Sequence, residues 1–160
     1  MIVLGFDPSL SNWGYCKVFI SDSGLEFKDY GVIQTKPDKR KIKQNIKDYE
    51  RCQYLYKNLL PLLDGVDVIC VELPTGSQSS RAMVSYSVCI ALTACISTTK
   101  PNIRIITPKQ VKEHTNAVDG SKEHIINWVK DKYPNLKLPC KTKAEHICDS
   151  IVAIHVGMDL

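Results

Sequence analysis

Three carboxylates stand where hydrophobic patterning alone would not put them. Asp7 closes the apolar run 2–6, Glu72 closes the run 66–71, and Asp149 interrupts the apolar face of a C-terminal helical stretch. A charged group that ends a buried strand lies at the carboxyl edge of its sheet, where open α/β sheets place their sites. Such groups brought together in a low dielectric disfavour their ionised forms unless a cation neutralises them. Mg²⁺ fits that role, because it takes oxygen ligands in octahedral geometry and accepts one or two carboxylates plus phosphate oxygens. Glu145, His146 and Asp149 add to the set: with spacings of three and four, all three project to one side of a helix. Asp7 alone reads equally as a turn cap, and His146 alone as a helix-surface histidine. Only the ensemble points to metal-assisted chemistry.

The elements that must position these groups follow from the pattern. The run 2–6 stops at Asp7-Pro8-Ser9 and reads as a buried strand. Two further strands, 13–20 and 25–35, flank the turn Ser21-Asp22-Ser23-Gly24. Ile42, Ile46, Tyr49, Leu55, Leu59, Leu60 and Leu63 recur at helical spacing, with Pro61 and Gly65 marking the end. A fourth strand covers 66–71, and a helix rich in small residues opens between Ser77 and Arg81 and runs to Thr98. Residues 103–106 form a short strand. Thr107-Pro108 reads as an N-cap with proline at the first helical position of a short helix through Val111. Ser121 caps the next helix, and 142–157 is the last. The order β-β-β-α-β-α-β-α-α-α predicts an α/β sheet with helices on its faces, in one domain over 1–160.

Composition narrows the class. At 160 residues, with 44% hydrophobic and 24% charged residues, the chain suits a single globular domain. The apolar start is broken at Asp7-Pro8, so no signal peptide is expected, and 83–98 reads as too short and too polar to span a bilayer. Seven cysteines form no CxxC pair. They are expected as reduced structural thiols in a soluble cytoplasmic protein. The net charge of +4 is unevenly placed: residues 36–57 hold eight Lys or Arg against three acids. That run reads either as a phosphate-binding face or as a solvated helix surface.

These residues resemble a known family. Gly5-Phe6-Asp7-Pro8-Ser9 followed by Gly14-Tyr15 is similar to the first motif of RuvC-type Holliday junction resolvases, in the ribonuclease H-like superfamily. Val71-Glu72 with a Ser-rich loop and a long helix behind it resembles the second acidic motif. Residues 107–112 and Gly120-Ser121-Lys122 are similar to the family's lysine-bearing region, and 146–154 to its C-terminal acidic helix. The likeness covers nearly the whole chain in order. Bacterial members carry an aromatic residue shortly after the second acid. Here the loop reads Leu73-Pro74-Thr75-Gly76-Ser77-Gln78, without an aromatic before Tyr86, and resembles viral members, which would place the protein in a host cytoplasm.

The resemblance implies a ribonuclease H-like fold: a five-stranded mixed sheet, its first three strands antiparallel, flanked by helices on both faces. It implies a homodimer acting on branched DNA, namely four-way junctions, flaps or Y-junctions. Asp7, Glu72, His146 and Asp149 would be catalytic. Asp7, Glu72, Asp149 and Glu145 would be the candidate ligands of two Mg²⁺ ions, for which Mn²⁺ would substitute. Lys109, Lys112, Lys122, Ser77, Gln78, Arg40 and Lys43 would touch DNA. Two ions roughly 3.5–4 Å apart would clamp the scissile phosphate, and in-line attack would leave a 5′-phosphate. Two rivals remain at this point. One is an actin or sugar-kinase type phosphotransferase, which also opens on Gly-x-Asp. The other is a junction-binding protein without activity.

Overall fold

The first strand, β1 (Ile2–Asp7), buries Val3 and Leu4 completely and Phe6 almost so, on both of its faces, as a central strand must. Its neighbours confirm that place: the sheet order is β3-β2-β1-β4-β5. Strands β2 (Asn12–Ser21) and β3 (Gly24–Gln34) form an antiparallel hairpin beside it, and Asp7 faces Gly14 across the ladder. The hairpin turn is Asp22-Ser23, and Gly24 follows it with φ of +121°, a conformation that favours glycine. Strands β4 (Val68–Glu72) and β5 (Ile103–Ile106) add in parallel on the other side. This computed structural model describes residues 1–36, 39–99, 102–117 and 121–160, and for Lys122 the backbone alone.

Strand alternation then divides the core in two. Leu4, Phe6, Trp13, Ile69 and Val71 point to one face, which α1 (Gln44–Leu59), a 3₁₀ turn at Leu60–Leu63 and α2 (Ser80–Ser97) cover with Leu55, Leu59, Leu63, Cys89, Leu92 and Ile96. Val3, Cys16, Val18, Val68 and Cys70 point to the opposite face. There they meet α3 (Pro108–Thr115), α4 (Lys122–Lys132) and α5 (Lys141–Met158). Asp7 shares its face with Val3, and Glu72 with Cys70. Both acids therefore point toward α5.

Helix α5 lies unusually close to the sheet. A Cβ added at Gly5 would stand 2.0 Å from the Ser150 carbonyl oxygen, and one at Gly14 would stand 2.2 Å from that of His146. Glycine at these two positions lets the helix backbone rest directly on β1 and β2.

The expected elements are all present, with shifted bounds. Strand β4 begins at Val68, because Val66 N–H closes a turn on the Leu63 carbonyl and Asp67 uses its carboxylate to accept from Ile2 N–H at 2.7 Å. It ends one residue later than expected, since Glu72 still pairs with Ile106. Helix α2 starts at Ser80, where Ser79 caps the Ala82 N–H. Helix α3 continues past Val111 to Thr115 and opens with a full capping box between Thr107 and Gln110. Ser121 caps α4 as expected. Cys16, Cys70, Cys89 and Cys148 are buried free thiols, whereas Cys95 and Cys140 are exposed. Helix α2 is long and apolar enough to cross a bilayer by length and composition, contrary to the expectation from its polar residues. In the fold, its Cys89, Leu92 and Ile96 side packs on the sheet.

Candidate active site

The acids converge because the two central parallel strands end together. Phe6 pairs with Val71, so Asp7 and Glu72 are the next residues of adjacent strands, on the same face. Across β1, the close seating of α5 at Gly14 brings its second turn over the strand end. His146 Nδ1 and Asp7 Oδ2 stand 2.6 Å apart, in a contact of which both partners are largely buried. A carboxylate oxygen only accepts, so Nδ1 is the donor of this pair and Nε2 is the ring nitrogen left for other partners.

Glu72 records the electrostatics of this pocket. Burial and then the charge of Asp7 push its pKa up to about 7, and the Lys112 ammonium only partly offsets them. A carboxyl group that holds its proton near neutrality is one whose ionised form is poorly solvated and, here, also faces the carboxylate of Asp7. A divalent cation would relieve that repulsion, and the oxygen donors of Asp7 and Glu72 are the type that Mg²⁺ accepts. Among the described residues, however, no three His, Cys, Asp or Glu side chains stand close enough to hold an ion as a group.

The remaining site expectations fall as follows. Asp149 is half-buried one turn after His146 on the same side of α5, and Glu145 occupies the adjoining half-buried position. Lys112 is exposed on α3 and close enough to Glu72 to lower its pKa. Lys109 extends from the same helix to Glu113 at 3.5 Å and faces away into solvent. Ser77 lies before α2, where its hydroxyl accepts from Ser79 N–H at 3.1 Å, and Gln78 is exposed beside it. Arg40 pairs with Glu50, and Lys43 occupies the N-cap position of α1 without a side-chain cap. The side chain of Lys122, and Gly120 before it, lie outside the described residues. Arg51 was expected only as one cation of the run 36–57 and Asp48 as one of its acids, and Arg81 carried no expectation beyond the opening of α2. In the structure they form one network around the buried Asp48 that joins α1 to α2, and the spacing of Asp48 and Arg51 by three was the only sign of it.

No protein-family model matches the sequence, and no curated protein sequence does. Solved structures do match. A T. thermophilus RuvC in complex with Holliday junction substrate superposes with a TM-score of 0.74 at 18% identity, over 98% of this chain and 92% of that one. The yeast mitochondrial Holliday junction resolvase Ydc2 gives 0.63 at 16% identity, over 98% of this chain and 78% of that chain. A fowlpox virus resolvase bound to substrate Holliday junction DNA gives 0.54 at 16% identity, over 99% and 95%. The mixed five-stranded sheet of order 3-2-1-4-5, with a helix laid across its central strands, is therefore the ribonuclease H-like fold that these structures share.

Proposed function

We propose that the chain is a divalent-metal-dependent endonuclease that hydrolyses phosphodiester bonds in branched DNA, Holliday junctions foremost. The observation that carries this reading is the meeting of Asp7, Glu72 and His146 at one strand edge, where Glu72 is driven toward its protonated form. A binder of phosphate gains nothing from acids facing its ligand. The likeness to resolvases solved with junction DNA supports the choice of substrate.

Asp7 and Glu72, at the ends of adjacent strands, are the residues that would first hold Mg²⁺ or Mn²⁺, and Asp149 and Glu145 on α5 are the further ligands that the resemblance names. When bound, the metal would lower the pKa of water and stabilise charge on the scissile phosphate and the leaving oxygen. The chain's own groups divide the rest. Asp7 accepts from Nδ1 and so orients the His146 ring, whose Nε2 takes a proton from the attacking water. Lys112 sets a positive charge beside Glu72, at the rim where the phosphate would enter. The acids hold negative charge that a bound cation would balance, which would ease the approach of a phosphate.

A homodimer would suit a substrate with two symmetric strands to cut. Helix α2 supports it: Met83, Val84 and Ile90 are 41%, 46% and 44% exposed on the side away from the sheet. That is an apolar surface for a second copy to cover.

The test is Asp7→Asn on a synthetic four-way junction. Cleavage in Mg²⁺ should fall by roughly three orders of magnitude, the scale of several kcal/mol of transition-state stabilisation. Junction affinity should hold or rise, because one negative charge beside phosphate is lost. Flap, Y-shaped, duplex and RNA–DNA hybrid substrates run in parallel define the range. Near wild-type cutting by this variant would remove the proposal.

A further inference from the structure

Beyond the acidic pocket, the most highly organised polar region is at the same edge of the sheet. Where β2 begins and β3 ends, α1 and the first turn of α2 close over two adjoining hollows of about 470 and 500 Å³. They share Gln34, Thr35, Lys36, Lys47 and Arg51, so they form one furrow, open along its length. Arg81 reaches into it from α2.

Asp48 gives the furrow its shape. This acid is only 7% exposed and accepts from both terminal nitrogens of Arg81, at 2.5 and 2.6 Å, and from Gln44 Nε2 at 3.0 Å. Arg51 Nη1 stands 3.8 Å from it. Arg51 in turn donates to the Leu10 carbonyl at 3.0 Å, to Ser11 Oγ at 2.7 Å and to Thr35 Oγ1 at 2.9 Å. Two guanidiniums thus share one carboxylate. One positive charge is left over, held by groups that are oriented before any ligand arrives. Hydroxyl and amide donors of Ser11, Asn12 and Gln34 stand beside them.

The furrow is also close to the acids. Asn12 lies two residues before Gly14, the partner of Asp7. At about 3.3 Å per residue and about 4.8 Å between strands, the furrow begins roughly 8 Å from Asp7. Guanidinium forks with flanking hydroxyl and amide donors match phosphate oxygens. An open track at that distance suits a chain of phosphates.

We propose that this furrow is a second contact for the phosphodiester backbone of DNA, holding the strand that runs on from the acidic pocket. Asp48 is the positioning residue for its two arginines. The inference rests on the reading that the chain acts on DNA, and the experiment separates the two. Junction affinity is measured in EDTA across a salt series, and cleavage is measured in Mg²⁺. The variants are Lys36→Glu with Lys47→Glu, Asp48→Asn, and Lys28→Glu as a control near the hairpin turn of β3. The double reversal should lower affinity at least tenfold and reduce the slope of log affinity against log salt by about two, one per lost phosphate contact. Asp48→Asn should reduce the slope as well, which a merely loosened fold, assayed well below its melting temperature, would not do. Lys28→Glu should stay within twofold of wild type.

If the double reversal behaves like Lys28→Glu while the wild type cuts junctions, the furrow is overturned and the nuclease reading stands. Furrow-dependent binding in EDTA by a wild type that cuts nothing gives the converse. Displacement of the junction by submillimolar inorganic phosphate would make this a small-anion site and overturn the backbone track. The absence of DNA binding in EDTA would overturn it too.

Discussion

Helix α5 carries a histidine near each end, and the fold treats the two in opposite ways. His146, at the end resting on β2, meets the carboxylate of Asp7 at 2.6 Å beside a second acid that retains its proton to about pH 7. His155, nine residues on, is buried among aromatic rings, with the Lys132 ammonium 3.5 Å from its Nδ1. Tyr133 Oη lies 2.7 Å from its Nε2, and the Trp128 ring packs edge-on at 5.1 Å. Burial first, then the charge of Lys132, pushes its pKa down to about 4. One end of the helix concentrates charge that its own neighbours do not balance. At the other, burial and the neighbouring ammonium keep the imidazole neutral. Buried groups arranged for stability are neutral and satisfied, whereas groups arranged for chemistry are left wanting a partner.

Three experiments act on that contrast, and the largest effect should come from the glycines beneath the helix. Gly14→Ala puts a methyl group 2.2 Å from the His146 carbonyl oxygen, a backbone atom that only a shift of α5 can clear. It should destabilise by about 3 kcal/mol, the upper range for overpacking. It should also lower cleavage about a hundredfold, because a displacement near 1 Å separates His146 from Asp7. Gly157→Ala makes a comparable clash, 2.5 Å from Cys70 Sγ, at the far end. There the cost should be in melting temperature alone. Equal losses of activity from both variants would show that the two ends of α5 move as one body and would erase the distinction drawn between them.

The pair of glycines also shows what the sequence carried and what it hid. Gly5 and Gly14 were visible as part of a motif, but their use is a contact with residues some 130 positions away, which spacing does not reveal. Asp7 and Glu72 were legible because a charge ending an apolar run violates the pattern around it. Their common face was legible too, once strand alternation was fixed by the cores of β1 and β4. The Asp48–Arg81 pair was hidden for the reverse reason: in a lysine-rich helix a single acid looks like surface. Helix caps such as Thr107 and Ser121 were read correctly, since a cap is settled within four residues. Long-range ion pairs are settled by packing.

The next effect is on stability against pH, measured in EDTA. Glu72 has a folded pKa above its ordinary value, so it favours the folded state at low pH and that benefit is lost as pH rises from about 4.5 to 7. His155 has a folded pKa below its ordinary value, so folding is favoured above about pH 6.5 and that benefit is lost as pH falls toward 4. His114, lowered by burial and by Lys132, acts in the same direction as His155. Each of the two main shifts corresponds to at most about 3 kcal/mol. Between pH 4.5 and 6.5 they oppose, and the wild type should vary little. Glu72→Gln should unmask a stability that rises with pH over this window, and His155→Gln one that falls. Chemical denaturation at four pH values distinguishes these slopes. Parallel curves for the wild type and both variants would contradict the assignment of charge excess to one end and a neutral imidazole to the other.

The smallest effect tests whether the quiet end of α5 is as self-contained as its chemistry suggests. Tyr133→Phe removes the hydroxyl 2.7 Å from His155 Nε2 and little else, because the ring still packs against Phe27 at 4.9 Å. Losing one partner of a buried polar nitrogen should cost about 1 kcal/mol, or a few degrees in melting temperature for a chain of this length. Nothing in that change reaches the strand edge where Asp7 and Glu72 stand, so cleavage and its metal requirement should stay within twofold of wild type. A larger loss of activity would mean that the Tyr133–His155 contact sets the lie of α5 over β1. Its neutrality would then be part of how the acidic end is positioned.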